Sequence, residues 1–272
     1  MSDPDFDAIS WSFDEETGIG EVTLDRPEAM NAIDETMQRE VIAAFDRFEE
    51  LDDEADGVAV SAVIVDGAGE KAFSSGLDLR EMEGLEDHDE RKLIPDLFCE
   101  ATDAIESYDA PVIASVDGLC LGGGFEFAIA CDFRFASEAS TFGQPEVNFG
   151  LLPGGGAAQR LSTIVGVSRA KELCMTGKKI DAEQALEWGV LTEVRPAEEL
   201  EDAVREFADT LASKPPLALR GIKDASNMTR QVGYEEALDY GGHIWVTLSR
   251  THDHAEGMEA FAEDRAPEFE GR

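Results

Sequence analysis

Cationic residues are scarce in this chain: 22 Lys and Arg stand against 60 Asp and Glu, a formal net charge of −38 over 272 residues. A surface of that sign repels phosphate backbones and anionic lipid, which argues against nucleic acid and membrane as partners. Long apolar runs are missing as well. No stretch reaches the roughly 18 apolar residues that a membrane span requires. The opening Met-Ser-Asp-Pro-Asp-Phe-Asp has no basic region followed by an apolar one, so no signal peptide is expected and the location reads as cytoplasmic. Cysteine is limited to Cys99, Cys120, Cys131 and Cys174, with no CxxC pair; all four read as reduced core thiols. Histidine is equally sparse. His252 and His254 flank Asp253 without a third ligand at suitable spacing, and His88 and His243 stand apart, so no metal is expected. Neither the dinucleotide fingerprint GxGxxG nor the nucleophile elbow GxSxG occurs, which leaves a dinucleotide fold and a serine hydrolase without support.

Hydrophobic residues, at 43% of the chain, are sufficient for a substantial core, and the length suits one large domain or one domain with an appendage. The acidic residues are spread along the chain with hydrophobic periodicity between them, which describes an acidic surface on a folded core, not a disordered polyanion. Such self-repulsion is tolerable where salt screens it, with a Debye length of about 3 Å at 1 M. The composition therefore points to a salt-loving source.

Alternation at residues 9–13 and 19–24, around Asp14-Glu15-Glu16-Thr17-Gly18, predicts a hairpin. Asp34 is placed to cap a helix running to about residue 51, with Met37, Val41, Ala44, Phe45 and Phe48 on one face. Residues 58–65, 111–116, 132–136 and 190–194 read as short strands. Residues 71–79 pass from apolar to small and end in a tight turn, 81–90 read as a polar surface insert, and 93–108 have helical spacing. Residues 141–146 read as a loop. Leu151-Leu152-Pro153-Gly154-Gly155-Gly156 reads as a glycine turn before a helix carrying Gln159 and Arg160, the latter paired with a carboxylate. Helices then dominate, over about 168–176, 181–188, 196–213 and 216–230, with one long helix over 234–261. This order predicts an α/β core over residues 1–200 and a helical region over 201–272.

The functional reading turns on Leu121-Gly122-Gly123-Gly124-Phe125-Glu126-Phe127-Ala128-Ile129. Three successive glycines do not suit a helix or strand interior, because each loses much backbone entropy there. Good helix formers follow, so the glycines end a loop and open a helix whose free N–H groups favour negative charge. Glu126 lies about a turn inside. An anion-stabilising spot beside a proton-moving carboxylate is half of an enolate site; a tight helix–sheet contact with a solvated Glu is the other reading of the same stretch. Residues 74–77 form a second small-residue turn, placed so that each turn can aim one N–H at a single oxygen. Ser74 and Ser75 read as small turn residues, not nucleophiles. Glu146 follows Glu126 by 20 residues, room for a helix out, a strand back and a loop. Two carboxylates could then hold one water and divide acid and base roles.

Together these pieces resemble one family. Leu24-Asp25-Arg26-Pro27-Glu28-Ala29-Met30-Asn31-Ala32-Ile33 and residues 71–82, 110–130, 142–146, 152–161 and 256–269 are similar to segments of the enoyl-CoA hydratase/isomerase (crotonase) family, and the resemblance covers nearly the whole chain. It implies a crotonase-like α/β spiral of strand–strand–helix units, with C-terminal helices that build homotrimers or hexamers. It further implies that the backbone N–H groups of Leu77 and Gly123 form an oxyanion hole, and that Glu126 and Glu146 position water and exchange the proton at C2. Ser75, Gly76, Asp78 and Leu79 flank the hole. Arg26, Ala29 and Met30 match positions at the CoA pocket, and Gly154 a glycine behind the water. Phe261 and Arg265 match positions near bound CoA, within the chain or from a neighbouring subunit. The implied reaction adds water across the 2,3 double bond of a 2-enoyl-CoA, as in fatty-acid β-oxidation, with no cofactor because CoA is part of the substrate. Double-bond isomerisation and a non-catalytic acyl-CoA- or RNA-binding role are the alternatives; two retained glutamates favour hydration and the acidic surface disfavours RNA. Glu28 stands where many relatives carry Lys near the adenine end, so the nucleotide-end contacts are not carried over. The insert around residues 84–89 likewise leaves chain-length preference unassigned.

Overall fold

A computed structural model describes residues 6–83 and 87–272; the readings made of residues 1–5 and 84–86 lie outside them. The alternating segments near the N-terminus form the antiparallel strands β1 (Ile9–Asp14) and β2 (Ile19–Leu24). Asp34 caps α1 (Glu35–Glu54), accepting the Met37 N–H at 2.9 Å. The face carrying Met37, Val41, Ala44, Phe45 and Phe48 is buried, as its spacing predicts.

From β3 (Ala62–Gly67) onward the chain repeats one manoeuvre. β3 leads to β4 (Ala72–Ser74), β5 (Val112–Val116) to β6 (Leu119–Leu121), and β7 (Phe133–Ser137) to β8 (Thr141–Gly143). The first strand of each pair joins a six-stranded sheet ordered β1-β2-β3-β5-β7-β10, completed by β10 (Glu193–Arg195). The second joins a four-stranded sheet ordered β4-β6-β8-β9, completed by β9 (Lys179–Asp181). Helices α2 (His88–Ser107) and α3 (Gly123–Ala130) follow the first two pairs. After the third come a 3-10 turn (Pro145–Phe149), α4 (Ala157–Ile164) and α5 (Val167–Thr176), while α6 (Ala182–Glu187) separates β9 from β10. The result is a strand–strand–helix spiral. Because β4, β6 and β8 run parallel in one sheet, with Ser74 beside Cys120 and Leu121 beside Gly143, their ends open together. That register gathers residues 75–77, 122–126 and 144–146.

Strand β3 is covered on both faces. Val63 and Val65 enter the main core, while Ala62 and Ile64 pack against α7 (Ala197–Ala212), whose Leu200, Val204, Ala208 and Leu211 form a buried stripe. Burying each large aliphatic side chain contributes about 1.5–3 kcal/mol. The helix that spans residue 200 therefore packs on the sheet, and α8 (Pro216–Met228) still touches the same body through Leu219 and through Lys223 Nζ, which donates to Ala110 O at 3.1 Å; α9 (Tyr234–Leu248) and α10 (His252–Glu263) follow.

Several boundaries differ from expectation. The helix expected over 234–261 is broken at 249–251, where Thr251 Oγ1 accepts the His254 N–H at 3.2 Å and restarts the chain as α10. Helix α2 begins at His88, ahead of residue 93, because Asp87 caps it through the Asp89 N–H at 2.8 Å. Residues 141–146 are a strand and a 3-10 turn, not a loop, and the strand expected over 190–194 lies at β10. All four strands of the second sheet are three residues long, too short to show alternation. Among the described residues, no helix is long and apolar enough to cross a membrane.

Candidate active site

Two turns meet at the open end of the four-stranded sheet. Gly76 O accepts the Ile33 N–H at 2.9 Å and the Asp78 N–H donates to Ile33 O at 2.8 Å. In such a parallel bridge alternate residues bond to the same side, so the intervening Leu77 N–H faces the other way. On that side lies the triple glycine: a Cβ at Gly123 would sit 3.3 Å from Leu77 N, and one at Gly76 would sit 3.3 Å from Gly123 N. Gly122 precedes α3 with φ 51° and ψ −125°, a conformation that requires glycine, and its N–H is taken by Gly143 O at 2.9 Å. Gly123 N is then the first donor of α3 with no carbonyl a turn behind it. Neither Leu77 N nor Gly123 N donates to a protein acceptor among the described residues.

Both glutamates reach this spot. A Cβ on Gly122 would lie 3.0 Å from Glu146 Oε1, so the bare glycine gives the carboxyl its space. Glu126, from the first turn of α3, is 2% exposed, and its Oε1 accepts the Ala157 N–H at 2.9 Å. Burial pushes the Glu126 carboxyl up to about 8, helped by the Glu146 charge and opposed by the Ala157 and Gly155 N–H groups and by Arg160. Burial also raises Glu146. Gln144 is fully buried and, with its amide nitrogen turned toward Glu146, donates to both carboxyl oxygens at 2.9 and 3.1 Å. Two carboxyls in unlike surroundings can hold one proton between them and one water.

The chain matches the family described as "Enoyl-CoA hydratase/isomerase" over residues 14–272. It belongs to that family. It is 37% identical to the short-chain-enoyl-CoA hydratase of Clostridium acetobutylicum, over 93% of this chain and 94% of that one. It is also 37% identical to a probable enoyl-CoA hydratase of Mycobacterium tuberculosis, over 93% and 95% respectively. The solved structure of the enoyl-CoA hydratase from Bacillus anthracis superposes with a TM-score of 0.89 at 33% identity, covering 98% of this chain and 100% of that one. The α/β spiral with trailing helices is thus the fold of the enoyl-CoA hydratase/isomerase family.

Within this family member the remaining candidates divide. Ser75 borders residues 26–34, donating its N–H to Met30 O at 2.9 Å and its hydroxyl to Ala29 O at 3.5 Å. Met30 and Leu79 are exposed at 42% and 45% beside the turns. Arg26 does not present a free charge to a phosphate. Its Nη1 donates to Ala32 O at 2.6 Å and pairs with Asp34 at 2.9 Å, and Nη2 lies 3.6 Å from Asp78. Two carboxylates neutralise it, and it braces residues 26–34 against the first turn. Asp78 is buried; hydrogen bonds from Arg80 hold its carboxyl down at about 2, so its role here is to anchor that turn. Gly154 O accepts the Cys99 thiol at 3.2 Å, in the turn that leads to the Ala157 donor. Phe261 and Arg265 are not drawn to the site by this chain. Phe261 is 86% exposed, and Arg265 is occupied by Glu256 and Glu263 of α10. Among the described residues no group of three or more His, Cys, Asp or Glu side chains is placed to hold a metal ion.

Asn31, Gln144 and Ala157 escaped the sequence reading. Asn31 is fully buried with φ 52°, accepts the Arg26 N–H at 2.9 Å, and donates to Ala68 O and Ala72 O at 2.9 and 2.8 Å. Ser74 Oγ donates to its carbonyl at 2.7 Å. Asn31 ties residues 26–31 to the first turn. An Asn beside the Arg-Pro corner was the available signal, since Asn tolerates left-handed backbone.

The raised Glu126 has a consequence for stability. Between its unfolded value near 4.5 and its folded value of about 8 the native state holds a proton that the unfolded state has released. Stability therefore falls as pH rises through that window, by up to about 1.4 kcal/mol per pH unit, and the contribution is level on either side. Glu126→Gln removes the titration. Its melting temperature should gain on the parent's from about pH 5 to pH 8 and then run parallel; a constant difference across that range would contradict the burial argument.

Proposed function

We propose that the chain is an enoyl-CoA hydratase, adding one water across the 2,3 double bond of a 2-enoyl-CoA to give the 3-hydroxyacyl-CoA. The observation that carries this is two adjacent turns with unengaged N–H groups, Leu77 and Gly123, opening beside two carboxyls with raised affinity for protons. A thioester oxygen received by both donors gains stabilisation as charge develops on it. The water oxygen bonds to C3. One carboxylate takes a water proton while a neutral carboxyl delivers a proton to C2, so the sum is addition of one water. CoA is part of the substrate and no cofactor is invoked. The hydratase names of the relatives at 37% identity support the same reading. Isomerisation through the same enolate is the second reading, and the buried Glu126 favours hydration over it.

Crotonyl-CoA tests the assignment. Hydration abolishes the enoyl-thioester absorbance and adds one water to the product mass. Isomerisation gives a product of unchanged mass, and binding alone leaves the spectrum intact.

Assembly, cytoplasmic location, a role in β-oxidation and adaptation to salt belong to the same proposal. Helices α9 and α10 expose Leu238, Trp245, Val246, Met258 and Phe261, an apolar set suited to burial in a homotrimer or hexamer. Sedimentation in about 0.1 M and 1 M KCl reads both assembly and salt dependence, because the Debye length shortens from about 10 to 3 Å. We expect a trimer or hexamer that is complete only at the higher salt; a monomer at both concentrations would reject the assembly, and an unchanged trimer at both would reject the salt adaptation.

A further inference from the structure

The turn that donates to Glu126 is itself held from behind. Residues 154–156 are all glycine and have little stiffness of their own, yet the Ala157 N–H that follows them serves Glu126 Oε1 at 2.9 Å. Arg160, one turn into α4, folds back onto this segment. Its Nη1 donates to Gly155 O. Its Nε and Nη2 reach Glu106 Oε2 at 3.1 and 2.7 Å, and Nη2 also reaches Asp103 Oδ1 at 3.0 Å. Glu106 Oε1 is engaged in turn by Arg230 at 2.5 Å, just beyond α8. Arg160 is 8% exposed, and a guanidinium in that position is tolerated only with its hydrogen bonds satisfied. Gly156 has φ 91°, and a Cβ there would lie 2.7 Å from Arg160 Nη1, so the guanidinium packs on a backbone kept bare for it.

The clamped carbonyl belongs to the Gly155–Gly156 peptide, next to the Gly156–Ala157 peptide that donates to Glu126. Fixing that peptide restricts the direction of the donor. We propose that Arg160 and Glu106 are positioning residues for the hydration: Arg160, oriented by Glu106 and Asp103, clamps the Gly155–Gly156 peptide and so aims the Ala157 N–H that orients the Glu126 carboxyl. The proposal rests on the hydratase reading for its kinetic consequence, but not for the clamp itself.

The test uses Glu106→Gln, Arg160→Lys and Arg160→Gln in the full chain, with thermal unfolding recorded for each. Glu106→Gln is nearly isosteric and keeps the test alive if Arg160 variants fail to fold. Amide hydrogen exchange at Ala157 reports the clamp whether or not the protein hydrates anything. We expect exchange there to quicken at least about tenfold, and kcat for crotonyl-CoA to fall about 10- to 100-fold with KM nearly unchanged, the scale of an ångström-level misplacement. The groups facing Glu126 are Glu146 from the 3-10 turn, Arg160 from α4, and the Cys99 and Cys174 thiols from α2 and α5. Losing the Arg160 charge and loosening the Ala157 donor both favour the neutral carboxyl. The Glu126 limb of the pH profile should therefore move upward, more in Arg160→Gln than in Arg160→Lys, which keeps a charge. Folded variants with unchanged exchange and an unchanged pH profile would overturn the clamp, even if kcat fell. A parent protein that does not hydrate crotonyl-CoA would overturn the hydratase reading, while exchange at Ala157 would still decide the clamp.

Discussion

Glu126→Gln and Glu146→Gln are each expected to lower kcat for crotonyl-CoA by roughly 10²–10⁴-fold, the range for loss of a general acid or base. Gln retains the shape of Glu and keeps a carbonyl that can accept the Ala157 N–H at position 126, so folding should survive while proton transfer does not. At position 146 the fit is less neutral. Gln144 donates to both carboxyl oxygens, and an amide there must turn its nitrogen away from one of those donors or lose the contact. The double variant should lose far less than the product of the single losses, because two groups acting on one water fail together. Proton exchange at C2 separates their parts. Glu146→Gln should stop exchange with solvent, whereas Glu126→Gln should retain part of it while hydration collapses. If Glu126→Gln hydrated crotonyl-CoA near the parental rate, Glu126 would be a structural residue and Glu146 alone would carry the proton transfers.

Gly123→Pro should be almost as damaging, with kcat reduced by about 10²–10³-fold through loss of one oxyanion donor. Proline at the first position of a helix suits the backbone and removes only the N–H, so the fold of α3 should tolerate its ring geometry better than an interior site would. Space is the complication, and Gly123→Ala measures it. A Cβ at Gly123 would meet Phe98 Cζ at 2.9 Å and Leu77 N at 3.3 Å. The Phe98 ring, stacked on Phe127 with centroids 5.1 Å apart, must then shift. We expect Gly123→Ala to lose activity through crowding of the hole, but less than Gly123→Pro. A folded Gly123→Pro protein with near-parental turnover would show that Gly123 N is not an oxyanion donor.

Much of this was legible in the chain because local chemistry carried it. Asp34 could be read as a cap and Met37 to Phe48 as a buried face, since both depend on neighbours within one helix. Glycines 122–124 marked a helix start for the same reason. The composition by itself determined an acidic surface and argued against nucleic acid, and the segments around Gly123, Glu126 and Glu146 carried the family resemblance. Other features were settled only by residues far apart in sequence. Three-residue strands have no periodicity to read; β4, β6 and β8 exist because each borrows its hydrogen bonds from the next. Arg26 matches a CoA-pocket position in the sequence, but only the fold shows that Asp78, distant along the chain, takes a share of its charge. Arg160 was legible as paired, but not that its pairing with Glu106 leaves Nη1 to hold the Gly155 carbonyl. Even the raised affinity of Glu126 for its proton is a tertiary property. A carboxyl one turn into a helix titrates normally in water, and only burial beneath the glycine turns, beside Glu146, makes it hold the proton near neutrality.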